Sequence, residues 1–87
     1  TNYAAFGNFF AKNQQYSQAI DIYLDGLALY PASLSLRTHL AYAYLAYGNL
    51  SVSEELFKEI LTEDRWNVEA LTGLGRIAEK LGQQKQA

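Results

Sequence analysis

The chain repeats itself. At a spacing of 34 residues, Phe6, Leu40 and Leu74 are all large and apolar, and Gly7, Ala41 and Gly75 beside them are all small. Phe10, Tyr44 and Ala78 follow in register, then Gln14, Gly48 and Gly82. Tyr23 aligns with Phe57, Leu27 with Leu61, and Ala19, Ser53 and Ala87 are small together. The cap-forming residues repeat as well, Ser17 with Ser51 and Ser33 with Asn67. A fixed period means that one supersecondary unit is used again and again. A unit this short cannot bury its apolar face alone, so neighbouring copies must stack.

The apolar spacing makes each unit helical. Tyr3, Phe6, Phe10 and Asn13 step by three and four, which predicts a helix over 1–13. A second helix is expected over 17–30, capped by Ser17, with Ala19, Ile20, Tyr23, Leu24 and Leu27 inward and Pro31 ending it. Ser33 caps a third helix that runs to Tyr47 and stops at Gly48-Asn49. Along it Leu36, Leu40, Ala43, Tyr44 and Tyr47 form one apolar face, and Thr38, Tyr42 and Leu45 a second on the other side. A helix apolar on both sides is expected to be covered on both sides, so this one belongs in the middle of the stack. Ser51 and Glu54 read as a capping box for the fourth helix, with Val52, Ser53, Leu56, Phe57, Ile60 and Leu61 inward and Glu54 paired with Lys58. Asn67 caps the fifth, with Leu71, Leu74, Ile77, Ala78 and Leu81 on one face; Gly82 ends it before a frayed polar tail, Gln83 to Ala87. No useful period-two alternation occurs, so no strands are expected.

The period and its pattern resemble the tetratricopeptide repeat, a helix–turn–helix unit. The first copy reads Tyr3-x-x-Phe6-Gly7-x-x-Phe10, then Ala19-x-x-x-Tyr23, then Pro31. The second reads Arg37-x-x-Leu40-Ala41-x-x-Tyr44, then Ser53-x-x-x-Phe57; the third reads Leu71-x-x-Leu74-Gly75-x-x-Ala78. The resemblance spans essentially the whole chain and implies an all-α fold. Five helices would stack as a short right-handed solenoid of about two and a half units: 1–33, 34–67 and a partial 68–87. The chain departs from the family pattern at Arg37, where a large aromatic is usual, and at Arg65, where proline is usual. Ile60 also departs, at a position that is usually small and that Gly26 fits; it is expected to widen the second pair locally.

Composition narrows the function. The chain has 87 residues, 49% of them apolar, and a net charge of −2. That suits one small globular domain. No basic cluster points to nucleic acid or to a lipid surface. With no cysteine there is no disulfide, thiolate metal site or cysteine nucleophile. Arg37 and His39 interrupt the longest apolar run, so no membrane insertion is expected. A soluble, cytoplasmic setting is the expectation. With no methionine in it, the chain reads as a piece of a longer protein. Only Lys12, Asp21, Asp25 and Arg37 are charged among the first fifty residues, which suggests that this half is covered by further repeats or by a partner.

No nucleophile–base set, zinc motif or phosphate-cradling loop is present. Gly73-Leu74-Gly75 lies inside a helical pattern and follows no strand, so it is no dinucleotide signature. Glu55, Glu59 and Glu63 stand four apart, with Asp64 next, and read as a solvated helix face rather than an acid–base or cation site. His39 is the only histidine; it reads as a satisfied structural residue rather than a ligand or pH switch. No catalytic residue, cofactor or metal is expected.

The family resemblance implies that the first helices of the repeats line a concave groove that binds peptides. By matching repeat positions, Ala4, Asn8, Ala11 and Lys12 come from the first helix, and Thr38, Tyr42, Leu45 and Ala46 from the third. Glu69, Thr72, Arg76 and Glu79 come from the fifth, with Lys80 at the edge. The expected partner-binding residues are Asn8 and Lys12, then Thr38, Tyr42 and Leu45, then Thr72 and Arg76. The competing reading is that Tyr42 and Leu45 only pack against neighbouring helices. Some family members clamp the C-terminal carboxylate of heat-shock chaperones. Only Asn8 matches that clamp here, and Glu69 would repel a carboxylate, so that partner class is rejected. The expected function is a non-catalytic scaffold for a protein or peptide partner. The alternative is a structural segment that associates through its end face, with self-association through Leu74, Ile77 and Leu81.

Overall fold

Each stretch with helical spacing becomes a helix, and each polar break becomes a short turn. The computed structural model describes residues 2–86. It contains α1 (Tyr3–Lys12), α2 (Tyr16–Leu29), α3 (Leu34–Tyr47), α4 (Leu50–Glu63) and α5 (Val68–Gln86). No strand occurs among the described residues. Thr1 and Ala87, expected in the first helix and at the last repeat position, lie outside the described residues.

The caps show which turn signals were decisive. Ser33 accepts the Leu36 amide at 3.2 Å and opens α3 as expected. Gly48 closes it at φ 105°, in the left-handed region that favours glycine. Asn67 accepts the Ala70 amide at 2.8 Å and opens α5. Two caps differ from expectation. Ser17 lies inside α2, whose N-cap is Gln15 with no side-chain bond. Ser51 lies inside α4, which Asn49 opens through the Val52 amide at 3.3 Å. The reversal at Gly48 leaves Asn49 already at the cap, so Ser51 has helical geometry and no orphan amide to serve. Glu54, freed from a capping box, pairs with Lys58 at 3.6 Å. Gly82 does not end α5, which runs on through it to Gln86, so the expected frayed tail is helical over 83–86. No atom lies near where a Gly82 side chain would be. No packed element there offsets the helical bonds a turn would lose.

The core forms two consecutive cells, each built around one aromatic ring. Tyr23 anchors the first with Ala19, Ile20, Leu36, Leu40 and Ala43. Phe57 anchors the second with Ala41, Leu45, Ile60, Ala70 and Ile77. Helix α3 contributes to both cells and is covered on both sides, as its sequence requires. The two rings are equally enclosed, although the glycine that each one meets lies on the preceding helix for Tyr23 and on the following helix for Phe57. Tyr23 is 1% and Phe57 0% exposed. A Cβ built on Gly7 would lie 2.3 Å from the Tyr23 ring, and one on Gly73 would lie 2.3 Å from the Phe57 ring. Each ring therefore occupies the space of a missing side chain on a neighbouring helix. Ser53 replaces Ala19 in the second cell, and its buried hydroxyl donates to the Ala41 carbonyl at 2.8 Å. That bond removes the cost of burying it.

Several expected core residues are outside. Phe6 is 55% exposed, although its repeat equivalent Leu40 is buried. Helix α2 covers the Leu40 side of α3, whereas no described helix covers the Phe6 side of α1. Leu24 and Tyr47 are also exposed, Leu24 facing away from the stripe that carries Tyr23 and Tyr47 lying in the last turn of α3. On α5 the inward residues are Ala70, Gly73 and Ile77, while Leu71, Ala78 and Leu81 are exposed. Ile77, at 1% exposure, belongs to the Phe57 cell and cannot form part of an end face. Ile60 is fully buried in the same cell.

Arg37 shows how an unexpected residue is accommodated. Its guanidinium makes a two-pronged contact with the Glu63 carboxylate, the longer bond 3.1 Å, and a further bond to the Ala32 carbonyl at 3.2 Å. This joins the start of α3 to the end of α4. Glu63 is thus not simply part of a solvated acidic face. The bond from Arg37 holds the Glu63 carboxyl below its ordinary value, and the same bond raises Arg37.

Two predictions follow from this packing. Gly7→Ala forces a methyl into the Tyr23 ring and should destabilise by about 1–3 kcal/mol in urea unfolding. Gly75→Ala enters open space within a helix and should stabilise by up to about 1 kcal/mol. For the ion pair, a carboxyl with a depressed folded value stabilises above the ordinary carboxylate value of 4.5. That contribution is lost as pH falls through the folded value. In paired acid titrations of stability, Arg37→Gln should lose less than the parent chain below that pH, with the two curves converging at the acid end.

Candidate functional site

The first, third and fifth helices touch one another in a row: α1 packs on α3 and α3 on α5, while the backbones of α2 and α4 do not approach closely. The exposed side of this row carries a groove of about 890 Å³. Its floor is the stripe of α3 through Ser35, Thr38, His39, Tyr42 and Ala46, spaced by three and four residues. Asn8 and Ala11 of α1 form one wall. Glu69, Arg76 and Lys80 of α5 form the other. Tyr16 and Tyr23 of α2, with Leu34, Ala43 and Leu45, complete the lining.

Tyr42 is the hinge between floor and wall. Its hydroxyl donates to the Glu69 carbonyl at 2.5 Å, tying α3 to the first turn of α5. Its ring meets Phe57 edge to face, with centroids 4.9 Å apart. The Arg76 guanidinium carbon lies 5.9 Å from the centre of the same ring, within cation–π range. Burial raises the Tyr42 hydroxyl above its ordinary value; Arg76 opposes the shift and Glu69 adds to it. Burial alone raises Tyr23. Tyr42 therefore does both things the sequence left open: it packs against a neighbouring helix and it lines the groove.

His39 also faces the groove. Its Nδ1 lies 2.7 Å from the Ser35 carbonyl. A carbonyl can only accept, so Nδ1 carries the hydrogen and Nε2 of the neutral ring is left as an acceptor. The ring packs 5.6 Å from Tyr23. The residue is locally satisfied, as expected, and still presents one ring edge to the groove.

Of the expected binding residues, the structure brings together Asn8, Thr38, Tyr42, Leu45 and Arg76. Leu45 is almost wholly buried in the second core cell and underlies the groove rather than projecting into it. Lys12 and Thr72 are exposed and do not line the groove. Helix α1 packs inward through Ala4, Gly7 and Ala11, and Lys12 is rotated away from that stripe. Thr72 lies three residues past Glu69, about 60° round the helix from the line of Glu69, Arg76 and Lys80. Ala4 lines a separate, shallower depression with Tyr3 and Tyr30, and Glu79 lines neither. Sequence reasoning missed Tyr16, Leu34, Ser35 and Ala43 as groove residues and treated Tyr23 as core alone. The helical stripe through Ser35, His39, Tyr42 and Ala46 was the available signal.

Among the described residues, no group of acidic and histidine side chains could hold a metal ion, and no helix is long and apolar enough to cross a membrane. No family model matches the chain, and no curated protein matches it in sequence.

The double role of Tyr42 gives a test. Tyr42→Phe keeps the ring contacts with Phe57 and Arg76 but loses the bond to the Glu69 carbonyl. It should cost about 0.5–1.5 kcal/mol. Amide hydrogen exchange should speed up most at the start of α5, with α1 and α2 nearly unchanged.

Proposed function

We propose that this chain is a non-catalytic binding scaffold, a short tetratricopeptide-like right-handed solenoid whose inner row of helices holds a peptide or helix of a partner protein. The observation that carries the reading is the groove itself. It is large and lined chiefly by one face each of α1, α3 and α5, with Tyr16 and Tyr23 of α2. Supporting the solenoid are the equal burial of the repeat-equivalent rings Tyr23 and Phe57 and the contacts of α1 with α3 and of α3 with α5. Close backbone approach along the inner row, and none between α2 and α4, suits a stack curved toward α1, α3 and α5. Apolar ground with a few polar groups placed around it is the usual make-up of a binding cleft. Tyr42, Arg76 and Tyr16 supply residue types common among binding anchors.

A second reading, a structural segment associating end to end, rests on the outward face of α5. Leu71 and Leu81 are exposed there, and Gly75 has open space where its repeat equivalent Gly7 meets the Tyr23 ring. Another helix bearing a ring opposite Gly75 would complete a third cell like the first two.

Peptides selected from a random library on the immobilised chain test the groove. Ala46 is exposed and lines the floor, so Ala46→Trp should fill the groove while leaving the circular dichroism unchanged. Loss of about tenfold or more in affinity is expected, as for blocking the centre of an interface. Leu71→Ser, on the other side of α5, should leave peptide affinity unchanged. Equal binding by Ala46→Trp and the parent chain would exclude the groove as the site.

A further inference from the structure

The charges on the groove wall are not arranged as on the rest of the molecule. The chain as a whole has a net charge of −2. The groove carries two fixed cations, Arg76 and Lys80, against one carboxylate, Glu69. Arg76 and Lys80 are one turn apart on the same face of α5, and neither forms an ion pair among the described residues; the two ion pairs there are Arg37–Glu63 and Lys58–Glu54. Two unneutralised cations held side by side over a largely apolar floor repel each other and favour an anionic guest. Arg76 rests on the Tyr42 ring, which limits its freedom and leaves its outer N–H groups for a carboxylate.

Glu69 gives the wall a direction. It lies in the first turn of α5, where a carboxylate is favoured by the helix dipole. Seven residues separate it from Arg76, about 10 Å along the helix, which about three residues of extended peptide would span. A uniformly acidic segment would meet repulsion at the Glu69 end.

Resting on the groove reading above, we propose that the occupant is a partner peptide of polarised charge. One end bears an acidic side chain that pairs with Arg76 and Lys80. The centre bears an apolar or aromatic side chain that lies on Ala46 and Tyr42. The end near Glu69 is neutral or basic. Arg76 and Lys80 select for the acid by charge complementarity, and Glu69 rejects it at the wrong end.

The test is a comparative selection of short random peptides on the parent chain and on an Arg76→Glu/Lys80→Glu variant. Both positions are exposed, so the variant should keep its circular dichroism and its urea midpoint close to the parent's. The parent should enrich peptides with Asp or Glu on one side of an apolar residue. For one such peptide, replacing the acid by its amide should weaken binding about tenfold, less so at high salt. The variant should lose the acidic set and enrich Lys or Arg in its place. If parent and variant enrich the same peptides, or acid and amide forms bind equally while Ala46→Trp still abolishes binding, the groove reading stands and the charge inference is overturned. If uniformly acidic peptides bind best, the role of Glu69 is overturned. If no peptide is enriched on the parent, both readings fail together.

Discussion

The structure depends on an aromatic ring filling the place of a missing side chain. Tyr23 sits against Gly7 of one helix and beside His39 of another. One repeat later Phe57 sits against Gly73 and packs with Ala41. In each case a rigid ring from an even-numbered helix is wedged between two odd-numbered ones, and small residues let those helices come close. The wedge sets helix spacing in both directions, along a hairpin and between hairpins. Buried rings contribute large apolar area at little loss of rotamer freedom. The remaining core adapts around them. Leu36 and Ala43 fill the first cell, where Ala70 and Ile77 stand in the second, so bulk moves from one end of the helix to the other.

Close approach along the odd-numbered row has a consequence on the surface. Helices α1, α3 and α5 touch, and their exposed sides merge into one groove. The floor is the part of α3 that the two core cells leave free. Its rigidity comes from the same contacts: Tyr42 lies on Phe57, and His39 on Tyr23. The groove is thus the outer side of the core contacts rather than a separate construction, and a ligand there would bear directly on the rings that space the helices. The tie from Tyr42 to Glu69 also fixes where the charged wall of α5 stands relative to the floor.

The repeated pattern tolerates exchange where a substitute interaction is available. Arg37 stands where the first copy has Tyr3 and ties α3 to α4 through Glu63. Ser53 stands where the first copy has Ala19 and is satisfied by the Ala41 carbonyl. Gln14 takes a positive φ of 63° where its repeat equivalent Gly48 takes 105°. That backbone is costly for a residue with a side chain, so the turn geometry is retained although the residue best suited to it is not. The three exchanges preserve helix placement by different means: an ion pair, a hydrogen bond and local strain.

The sequence by itself determined the five helices, the two rings at the centre of the core and the two-sided burial of α3. These follow from periodicity, because spacing within a helix decides which residues share a face without reference to anything distant. It did not determine which of two neighbouring polar residues caps a helix, since Ser51 and Asn49 differ only in where the preceding turn delivers the chain. Nor did it determine the fate of residues at equivalent repeat positions. Phe6 and Leu40 match in character, and Gly7 and Gly75 in identity, yet each pair differs in burial, because burial depends on whether another helix covers that side. Lys12 and Thr72 fell outside the groove for a related reason. A repeat position assigns a residue to a helix and roughly to a face, whereas lining a groove requires a rotation set by how three helices pack. Only tertiary structure decided that rotation, and with it the placing of Arg76, Lys80 and Glu69 on one wall.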